Sequence, residues 1–378
     1  MIKERYMKEI QGKYTSAQIY ANEIFDGVIK QTMNICNHPI FKDCSVRIMP
    51  DCHEGMGCTI GFTSNLPVNG EIIPNIIGVD QSCGMYVVKL KKSKTLNEFD
   101  KLDKVIREYI PTGLRGRKVI SELIPDELKE EVKRYNTDYL KRGSNEDLLK
   151  IGSLGSGNHF ISVEKGSTGT YLIIHSGSRD FGNKMAVYFQ KLAIEKNLYG
   201  ENELKQLSFL TGDDAQEYLK CAKVCAEYSH YSRYIMAQEI LNHMGWKAEE
   251  SFETVHNYIG EDNIIRKGAI SCKQGEKALI PINMAYGSFI VIGKGNSDWN
   301  NSAPHGAGRL FSRTKAKEIL TMEAYKQSMK GIHSICVSTG TLDESPMAYK
   351  NGDEIKELIT PTADIIDHLN PVYNYKAS

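Results

Sequence analysis

The chain has 378 residues, with 47 basic and 47 acidic side chains and a hydrophobic content of 41%. This length and composition predict a folded, soluble protein with a substantial buried core. Because the charges balance, nothing global attracts the chain to nucleic acid or to a membrane surface, and any RNA or DNA contact needs a local basic groove. No apolar run approaches the roughly 18 residues that span a bilayer, so no membrane partner is expected.

Nine cysteines are scattered along the chain without a paired framework, and the opening MIKERYMKEIQGKY lacks the apolar core of a signal peptide. Both features predict a reducing, cytoplasmic location. Cys221 and Cys225 lie four residues apart on a predicted helix. Packing in the core is one interpretation of this pair, and a shared ion or oxidative pairing is the other.

Hydrophobic spacing predicts a short strand and a helix within residues 1–40, in SAQIYANEIFDGVIKQTMNI. Strands that feed glycine-rich loops follow, in CSVRIMPDCHEGMGCTIGFTSNL and NIIGVDQSCGMYVVKLKK. Residues 96–150 and 183–246 predict helical insertions. Further strands are expected between and after them, and one helix over SRTKAKEILTMEAYKQSM. The pattern favours a single α+β domain over residues 1–378.

Five segments each place a possible metal ligand beside a glycine or in a strand-loop context: VDQSCGM, GSGNHF, IIHSGSR, TVHNY and PHGAGR. Asp80 and Cys83 lie three apart, so a carboxylate and a thiolate can face one ion or two adjacent ions. His159, His175 and His256 can complete one or two coordination shells with nitrogen ligands suited to Mn, Fe, Co or Zn. A hydrogen-bonded histidine is the alternative for each alone, but their joint occurrence favours a metal site.

The segment SAPHGAGRLFSR holds His305 in a glycine-rich loop. Arg309, four residues after His305, can orient a phosphate. An imidazole titrates near neutral pH, so His305 is available as a nucleophile towards phosphorus or as an acid-base group. A histidine held in a tight turn is the alternative. Asp51 and His53 are two residues apart on a predicted strand, so both side chains project to the same side. They either support metal ligands from behind or have a purely structural role.

Glycine and hydroxyl residues in GSLGSGN and HSGSRDFG let backbone amides approach an anion, with Ser176, Ser178 and Arg179 beside it. Basic residues in IRKGAIS and GKGN add Lys267 and Lys294. No G-x-x-x-x-G-K-[ST] pattern occurs, so these segments indicate phosphate contacts rather than a Walker loop. A structural turn is the alternative for each glycine cluster.

In chain order, GVDQSCGM, GSLGSGNHF, HSGSRDFG, VHNYI, RKGAI, SAPHGAGRLFSR and DESPMAYK resemble the motifs of the RtcB-type RNA ligases, which join RNA ends using GTP and manganese. The resemblance runs from about MPDCHEGMGCTIGF to the C-terminal lysine. It implies one domain with an antiparallel sheet or sandwich core, helical insertions and a central two-metal cleft. The implied reaction joins a 3′-phosphate or 2′,3′-cyclic phosphate to a 5′-hydroxyl, in RNA repair or tRNA splicing.

The resemblance makes His305 the nucleophile that takes GMP from GTP. Cys83 would bridge two manganese ions, with His175 and His256 completing one site and Asp80 with His159 the other. Zinc or cobalt are alternative occupants, because such ligands bind them more tightly by intrinsic affinity. An archease-like activator is a candidate partner. The implied phosphate and nucleotide contacts are Asn158, Arg179, Lys267, Asn283, Ser288, Arg309, Tyr349 and Lys376.

Two positions depart from the family pattern. Ser162 stands where better-known members carry a glutamate, and Glu164 lies two residues later on the same strand face. We expect Glu164 to substitute only if the strand shifts or a bulge intervenes. Asn283 replaces the first serine of a segment resembling PGSMGTxSY, whereas Ser288 matches the second. The base pocket is therefore altered, which leaves the strictness of guanine preference open.

Two other functions fit the sequence. The altered pocket fits a metal-dependent enzyme that caps RNA or DNA 3′-phosphates or hydrolyses cyclic phosphates without efficient joining. An inactive nucleic-acid-binding homologue is the third hypothesis. The retained metal-ligand types and His305 argue against that hypothesis, because loss of chemistry would free these positions to change.

Overall fold

The computed structural model describes residues 7–377, and within that range strands and helices are mixed along the chain. The fifteen strands of this range are β1 (Lys8–Gln11), β2 (Ser16–Ile19), β3 (Val46–His53), β4 (Ile60–Asn65), β5 (Gly84–Leu90), β6 (Phe160–Lys165), β7 (Thr170–Ser176), β8 (Ala248–Val255), β9 (Asn257–Ile259), β10 (Ile264–Lys267), β11 (Ala269–Ser271), β12 (Lys277–Asn283), β13 (Gly287–Gly293), β14 (Ser302–Pro304) and β15 (Ala363–Tyr375). Its eight α-helices are α1 (Asp26–Cys36), α2 (Phe99–Tyr109), α3 (Asp126–Asp138), α4 (Arg179–Lys196), α5 (Gly212–Met244), α6 (Arg313–Ile319), α7 (Met322–Ser328) and α8 (Gly352–Leu358).

Two large sheets organise these strands. One has six strands in the order β1-β2-β3-β4-β10-β9, and the other has seven in the order β12-β13-β15-β6-β7-β5-β8. β11 and β14 form a separate antiparallel pair. Among the paired strands of the two large sheets, only β2 and β3 run parallel. The predicted α+β class with antiparallel sheets is confirmed.

The centre of the seven-stranded sheet is buried on both faces. On one face Val88 and Ile174 pack in a cluster with Met236 of α5, and on the other Val87 packs with Leu279 of β12. A one-residue slip would move every side chain of these strands to the opposite face and away from its packing partners in the close-packed core. The positions of the strand ends are therefore firmly set, and these ends carry the candidate site.

The strand and helix predicted within residues 1–40 are present, and one later helix prediction is wrong at its boundaries. SAQI forms strand β2, whose alternate residues are buried and which pairs with β1 and β3, and α1 begins at Asp26. The predicted helix over SRTKAKEILTMEAYKQSM is two helices, because Leu320 is extended and the Thr321 hydroxyl accepts a hydrogen bond from the Ala324 N–H, capping α7.

The predicted helical insertions correspond to α2 and α3 within 96–150 and to α5 with most of α4 within 183–246. The longest helix, α5, has 33 residues and ends at Gly245, whose φ of +65° is the left-handed conformation that favours glycine at this position. No helix in the described range combines the length and the apolar character needed to cross a bilayer.

Candidate metal centre and active-site cavity

Four predicted metal ligands lie along one edge of the seven-stranded sheet. Cys83 immediately precedes β5, His159 precedes β6, His175 lies near the end of β7, and His256 follows β8. These strands are neighbours in the order β6-β7-β5-β8 and run antiparallel. The beginnings of two strands therefore meet the ends of the other two, and the register of the sheet brings the four side chains together.

The ligand atoms form two groups that share one thiol. The Cys83 Sγ lies 3.2 Å from the His175 Nε2 and 3.3 Å from the His159 Nε2, and the Asp80 Oδ2 lies 2.9 Å from the His159 Nε2. Within the groups Cys83–His175–His256 and Asp80–Cys83–His159, the ligand atoms lie within 4.8 Å of one another. Metal–ligand bonds of about 2.0–2.3 Å place neighbouring ligands roughly 3–4 Å apart, so both groups fit a divalent ion.

Burial lowers the pKa of His175 and His256 well below the ordinary value for imidazole. Both rings are therefore neutral at physiological pH, the form that coordinates a metal. The Nδ1 of His175 lies 3.2 Å from the Asn158 carbonyl oxygen. Donation from Nδ1–H to that carbonyl leaves the Nε2 lone pair directed at Cys83, as a metal ligand requires.

The acidic members of the groups have pKa shifts in opposite directions. Burial raises the pKa of Asp80, but attraction and hydrogen bonding to His159 outweigh burial and bring the pKa to about 2, so Asp80 is a carboxylate. Burial, and after it the Asp80 charge, raise the pKa of the Cys83 thiol well above its usual value. A cation at Cys83 would offset both effects and favour the thiolate.

A cavity of about 280 Å³ opens beside the metal-ligand groups. Its walls include His175 and His256 from the sheet edge and the candidate nucleophile His305. Six of the predicted nucleotide contacts line the same cavity: Asn158, Asn283, Ser288, Arg309, Tyr349 and Lys376.

Two predicted phosphate contacts lie outside that lining. Arg179 lines a second cavity of about 280 Å³, together with Asp80 and His159 on the other side of the metal-ligand groups. Lys267 is buried, and its ammonium donates to the backbone carbonyls of Met56 and Asn75, at 2.5 and 2.8 Å. The geometry therefore places Arg179 at a separate opening and Lys267 against the backbone.

His305 lies between strand β3 and the sheet edge that carries Cys83, His159, His175 and His256, which we call the metal edge. Its ring centroid lies 4.8 Å from that of His256, and its Nδ1 lies 2.6 Å from the Oδ2 of the fully buried Asp51. The contact is close, although the two groups are not aligned as a hydrogen bond. His53 also lines the cavity, and its Nδ1 lies 3.0 Å from the Asp51 carbonyl. With Nδ1 facing Asp51, Nε2 is the ring nitrogen available for chemistry.

Sequence reasoning did not identify Glu344 as a site residue. Its buried carboxylate accepts hydrogen bonds from the Tyr349 hydroxyl at 2.6 Å, from Lys376 at 3.0 Å and from Arg309 at 3.1 Å. Burial raises its pKa, but Lys376 and Tyr349 outweigh burial and lower it to about 2. Glu344 lies within DESPMAYK, yet its partners are up to 35 residues away, so no local spacing indicates the role.

Lys350, in the same motif, was also missed. Its buried ammonium lies 3.2 Å from the Pro50 carbonyl and 3.5 Å from the Cys52 carbonyl, on either side of Asp51. Its backbone N–H donates to the Gly308 carbonyl at 3.0 Å. Lys350 thus connects the strand that carries Asp51 with the loop that carries His305.

Glu164 lines the cavity from β6, although Ser162 occupies the position expected for a carboxylate. The Ser162 hydroxyl donates to the Glu164 Oε1 at 2.9 Å. β6 pairs with β7 in unbroken register, and an irregularity lies in the neighbouring β15, between Pro371 and Tyr373. Glu164 therefore reaches the cavity without a bulge in its own strand.

Burial raises the pKa of Glu164 to about 7, although the hydroxyls of Ser162 and Ser288 oppose the rise. The Ser288 hydroxyl is close enough to favour the carboxylate but does not meet hydrogen-bond geometry. The Glu164 Oε2, the Ser288 Oγ and the Asn374 Oδ1 are all buried without a hydrogen-bond partner among residues 7–377. Buried polar atoms are normally satisfied, so this wall of the cavity is suited to a polar ligand.

The chain is similar to known proteins over most of its length. A family profile described as tRNA-splicing ligase RtcB matches residues 31–377. The RNA-splicing ligase RtcB of Escherichia coli strain K12 is 29% identical over an alignment of 384 positions including gaps, which covers 91% of this chain and 92% of that protein. The tRNA-splicing ligase RtcB of Nanoarchaeum equitans is 25% identical over an alignment of 452 positions including gaps, which covers 93% of each.

Proposed function

The chain belongs to the RtcB family of RNA-splicing ligases, and from this premise we propose that it joins RNA ends through a covalent histidine–GMP intermediate. The ends joined would be a 3′-phosphate or 2′,3′-cyclic phosphate and a 5′-hydroxyl, with GTP as cosubstrate, in RNA repair or tRNA splicing. The observation that carries the proposal is that His305 shares one cavity with two metal-ligand histidines and the cations Arg309 and Lys376.

In the first step, the His305 Nε2 attacks the α-phosphorus of GTP. An N–P bond forms, the bond from that phosphorus to the bridging oxygen breaks, and pyrophosphate leaves. Asp51 contacts Nδ1, so it would retain the proton there and stabilise the positive charge that grows on the ring. Arg309 and Lys376 would offset charge on the phosphate oxygens, and Glu344 positions both cations.

The predicted ligands would hold two divalent ions, with Cys83 common to both positions. We propose manganese, and the thiolate and imidazole donors are also compatible with zinc or cobalt. When bound, such ions stabilise negative charge on phosphoryl oxygens. His175 and His256 line the His305 cavity, whereas Asp80 and His159 line the second cavity with Arg179. This arrangement supports a nucleotide on one side of the metal centre and an RNA end on the other.

In the second step, an RNA 3′-phosphate oxygen attacks the phosphorus held on His305. The N–P bond breaks, and the RNA now ends in a diphosphate linked to guanosine. The 5′-hydroxyl of the other RNA end then attacks the 3′-terminal phosphorus, a phosphodiester forms, and GMP leaves. A cyclic phosphate must first be hydrolysed to a 3′-phosphate. Arg179, which lines the second cavity, would hold that terminus.

Glu164 supports guanine as the preferred base. Guanine presents two adjacent donors, N1–H and the N2 amino group, and a carboxylate can accept from both. Ser162 fixes one oxygen of Glu164, and the other has no partner among the described residues. Glu164 would therefore replace the carboxylate that Ser162 lacks.

The test is an adduct assay with α-labelled GTP, ATP, CTP and UTP in parallel, each with Mn²⁺. We expect an acid-labile protein label chiefly from GTP and none in His305→Ala. The matched control His243→Ala, at an exposed position of α5, should label like the wild type. RNA with a 3′-phosphate should then be joined to 5′-hydroxyl RNA.

Each negative outcome has a separate meaning. An adduct without joined RNA would replace ligation by an end-processing activity. Absence of both adduct and joined RNA, with every nucleotide and with Mn²⁺, Co²⁺ and Zn²⁺, would overturn the proposed function.

A further inference from the structure

Helix α5 passes directly behind the loop that carries Asp80 and Cys83. Ser229 and Arg233 lie four residues apart on this helix and so project from one face. The Ser229 hydroxyl donates to the Cys225 carbonyl of its own helix at 2.7 Å and lies 3.3 Å from the Gln81 carbonyl, whereas the Arg233 Nη1 donates to the Ser82 carbonyl at 2.9 Å. The peptide group immediately before Cys83 is therefore held by Arg233 from one rigid helix.

The same guanidinium also holds the second metal-ligand strand. The Arg233 Nη1 donates to the Ser176 carbonyl at 2.7 Å, and Ser176 directly follows His175 in β7. Its Nε donates to the Glu253 Oε1 at 3.0 Å, in β8, the strand that leads to His256. One side chain thus joins three chain segments, and each segment lies within three residues of a metal ligand.

Arg233 is completely buried, so its charge is removed from water at a large cost. Glu253 is its carboxylate partner within the described range, and that carboxylate is shared with His230 at 2.8 Å. The remaining contacts go to backbone carbonyls. A planar guanidinium with several fixed donors can hold carbonyls from separate segments at once, which the single ammonium group of lysine cannot do in the same geometry.

The loop itself needs such support. Ser82 has a φ of +54°, a left-handed conformation that is unfavourable for a residue with a Cβ. Its N–H donates to the Asn257 carbonyl at 2.7 Å, and the Asn257 amide donates to the Asp80 carbonyl at 3.0 Å. The loop is thus tied to the first residue of β9 on one side and to α5 on the other.

From these contacts we propose that Arg233 is a positioning residue of the metal centre. It fixes the peptide groups beside Cys83 and His175, and so sets the 3.2 Å separation between the Sγ of one and the Nε2 of the other. Arg233 touches neither ligand atom. The inference rests on the proposed metal-dependent function and adds a residue that orients the ligands from outside.

Cobalt binding to Arg233→Lys and Arg233→Met tests the proposal. Both variants should bind Co²⁺ roughly 10- to 100-fold more weakly than the wild type, the range typical for loss of groups that orient metal ligands. The thiolate-to-cobalt and d–d absorption bands should also shift. Lysine keeps the positive charge but lacks the planar guanidinium with its several fixed donors. Weak cobalt binding by the lysine variant would therefore show that geometry matters, and not only charge.

Arg266→Lys is the matched control. Arg266 is also completely buried and donates to Asp262 and to the Asn300 and Asn301 carbonyls, with no hydrogen bond to the Asp80–Cys83 loop or to β7. It should show wild-type cobalt affinity and spectra. Circular dichroism and thermal unfolding would show whether the two lysine variants are folded to the same extent.

A folded Arg233→Lys protein with wild-type cobalt affinity and spectra would overturn the inference and leave the proposed function intact. If the Arg233 variants do not fold, Glu253→Gln is the alternative test. It removes the charge that pairs with the Arg233 guanidinium and should shift the cobalt bands. Unchanged bands in that variant would overturn the inference. If the wild type shows no thiolate-to-cobalt band, the metal-dependent function and this inference both fall.

Discussion

The metal edge and the His305 cavity adjoin each other but are built in different ways. At the metal edge, four candidate ligands lie at the ends of neighbouring strands, and the register of one buried sheet fixes their spacing. In the cavity, side chains from distant segments are joined by hydrogen bonds to Glu344. The metal-ligand positions therefore depend on backbone register, whereas the positions of the cavity cations depend on one shared carboxylate.

Replacing the thiol shared by both ligand groups should have the largest effect. Because each group contains Cys83, Cys83→Ala should abolish binding of both cobalt ions in a calorimetric titration, whereas His256→Ala should abolish one. Loss of metal charge stabilisation should slow adduct formation by about 10³-fold or more. Retention of two cobalt ions by Cys83→Ala would contradict a thiolate common to both sites.

Asp51→Asn should separate the two regions. The amide cannot stabilise a positive imidazole as a carboxylate does, so adduct formation should slow by about 10²- to 10⁴-fold. Asp51 contacts His305 and no metal ligand, so cobalt affinity should stay at the wild-type value. A parallel loss of cobalt binding would show that Asp51 supports the metal edge instead.

Glu344→Gln should disturb only the cavity. Without the carboxylate, Arg309 and Lys376 lose their common partner, and the KM for GTP should rise about 10- to 100-fold, as expected for charged hydrogen bonds. Steady-state ligation kinetics would measure the KM for GTP, with Glu318→Gln at an exposed position of α6 as the control. An unchanged KM would separate Glu344 from nucleotide binding.

Two carboxyls of the cavity should respond to pH in opposite directions. The pKa of Glu164 is raised to about 7, so its contribution to stability is present below its unfolded pKa of 4.5 and is lost as pH rises through 7. The pKa of Glu344 is lowered to about 2, so its contribution is present above pH 4.5 and is lost as pH falls towards 2.

Urea unfolding of the metal-free protein would measure the Glu164 effect. Glu164→Gln cannot ionise, so the wild type should lose about 2 kcal/mol of unfolding free energy relative to that variant between pH 5.5 and 7.5. A constant difference across that range would mean that Glu164 is not a buried, protonatable wall of the cavity.

Short motifs in the sequence predicted the individual metal-ligand candidates, but their spacing alone could not place them together, and only the family resemblance grouped them. Cys83 and His175 are 92 residues apart, and only the order of β6, β7, β5 and β8 brings them into contact. The sequence did not indicate the role of Arg233. Two of its acceptors are backbone carbonyls, which leave no trace in the identity of Ser82 or Ser176, and the third, Glu253, is 20 residues away.

Local spacing correctly indicated a strand and a helix near SAQI, where β2 pairs with β1 and β3, but it misled in one place. The single helix predicted over SRTKAKEILTMEAYKQSM is divided, because Thr321 caps the start of α7 directly after α6 has ended. A single domain over the whole chain stays a prediction.

The proposed mechanism depends most directly on which atom of the protein receives the nucleotide. The decisive measurement is mass mapping of peptides after incubation with GTP and Mn²⁺. We expect one acid-labile GMP on the peptide that contains His305, and no GMP on any peptide of a His305→Ala protein that still binds cobalt like the wild type. GMP on another residue, or an adduct that persists in His305→Ala, would contradict the account.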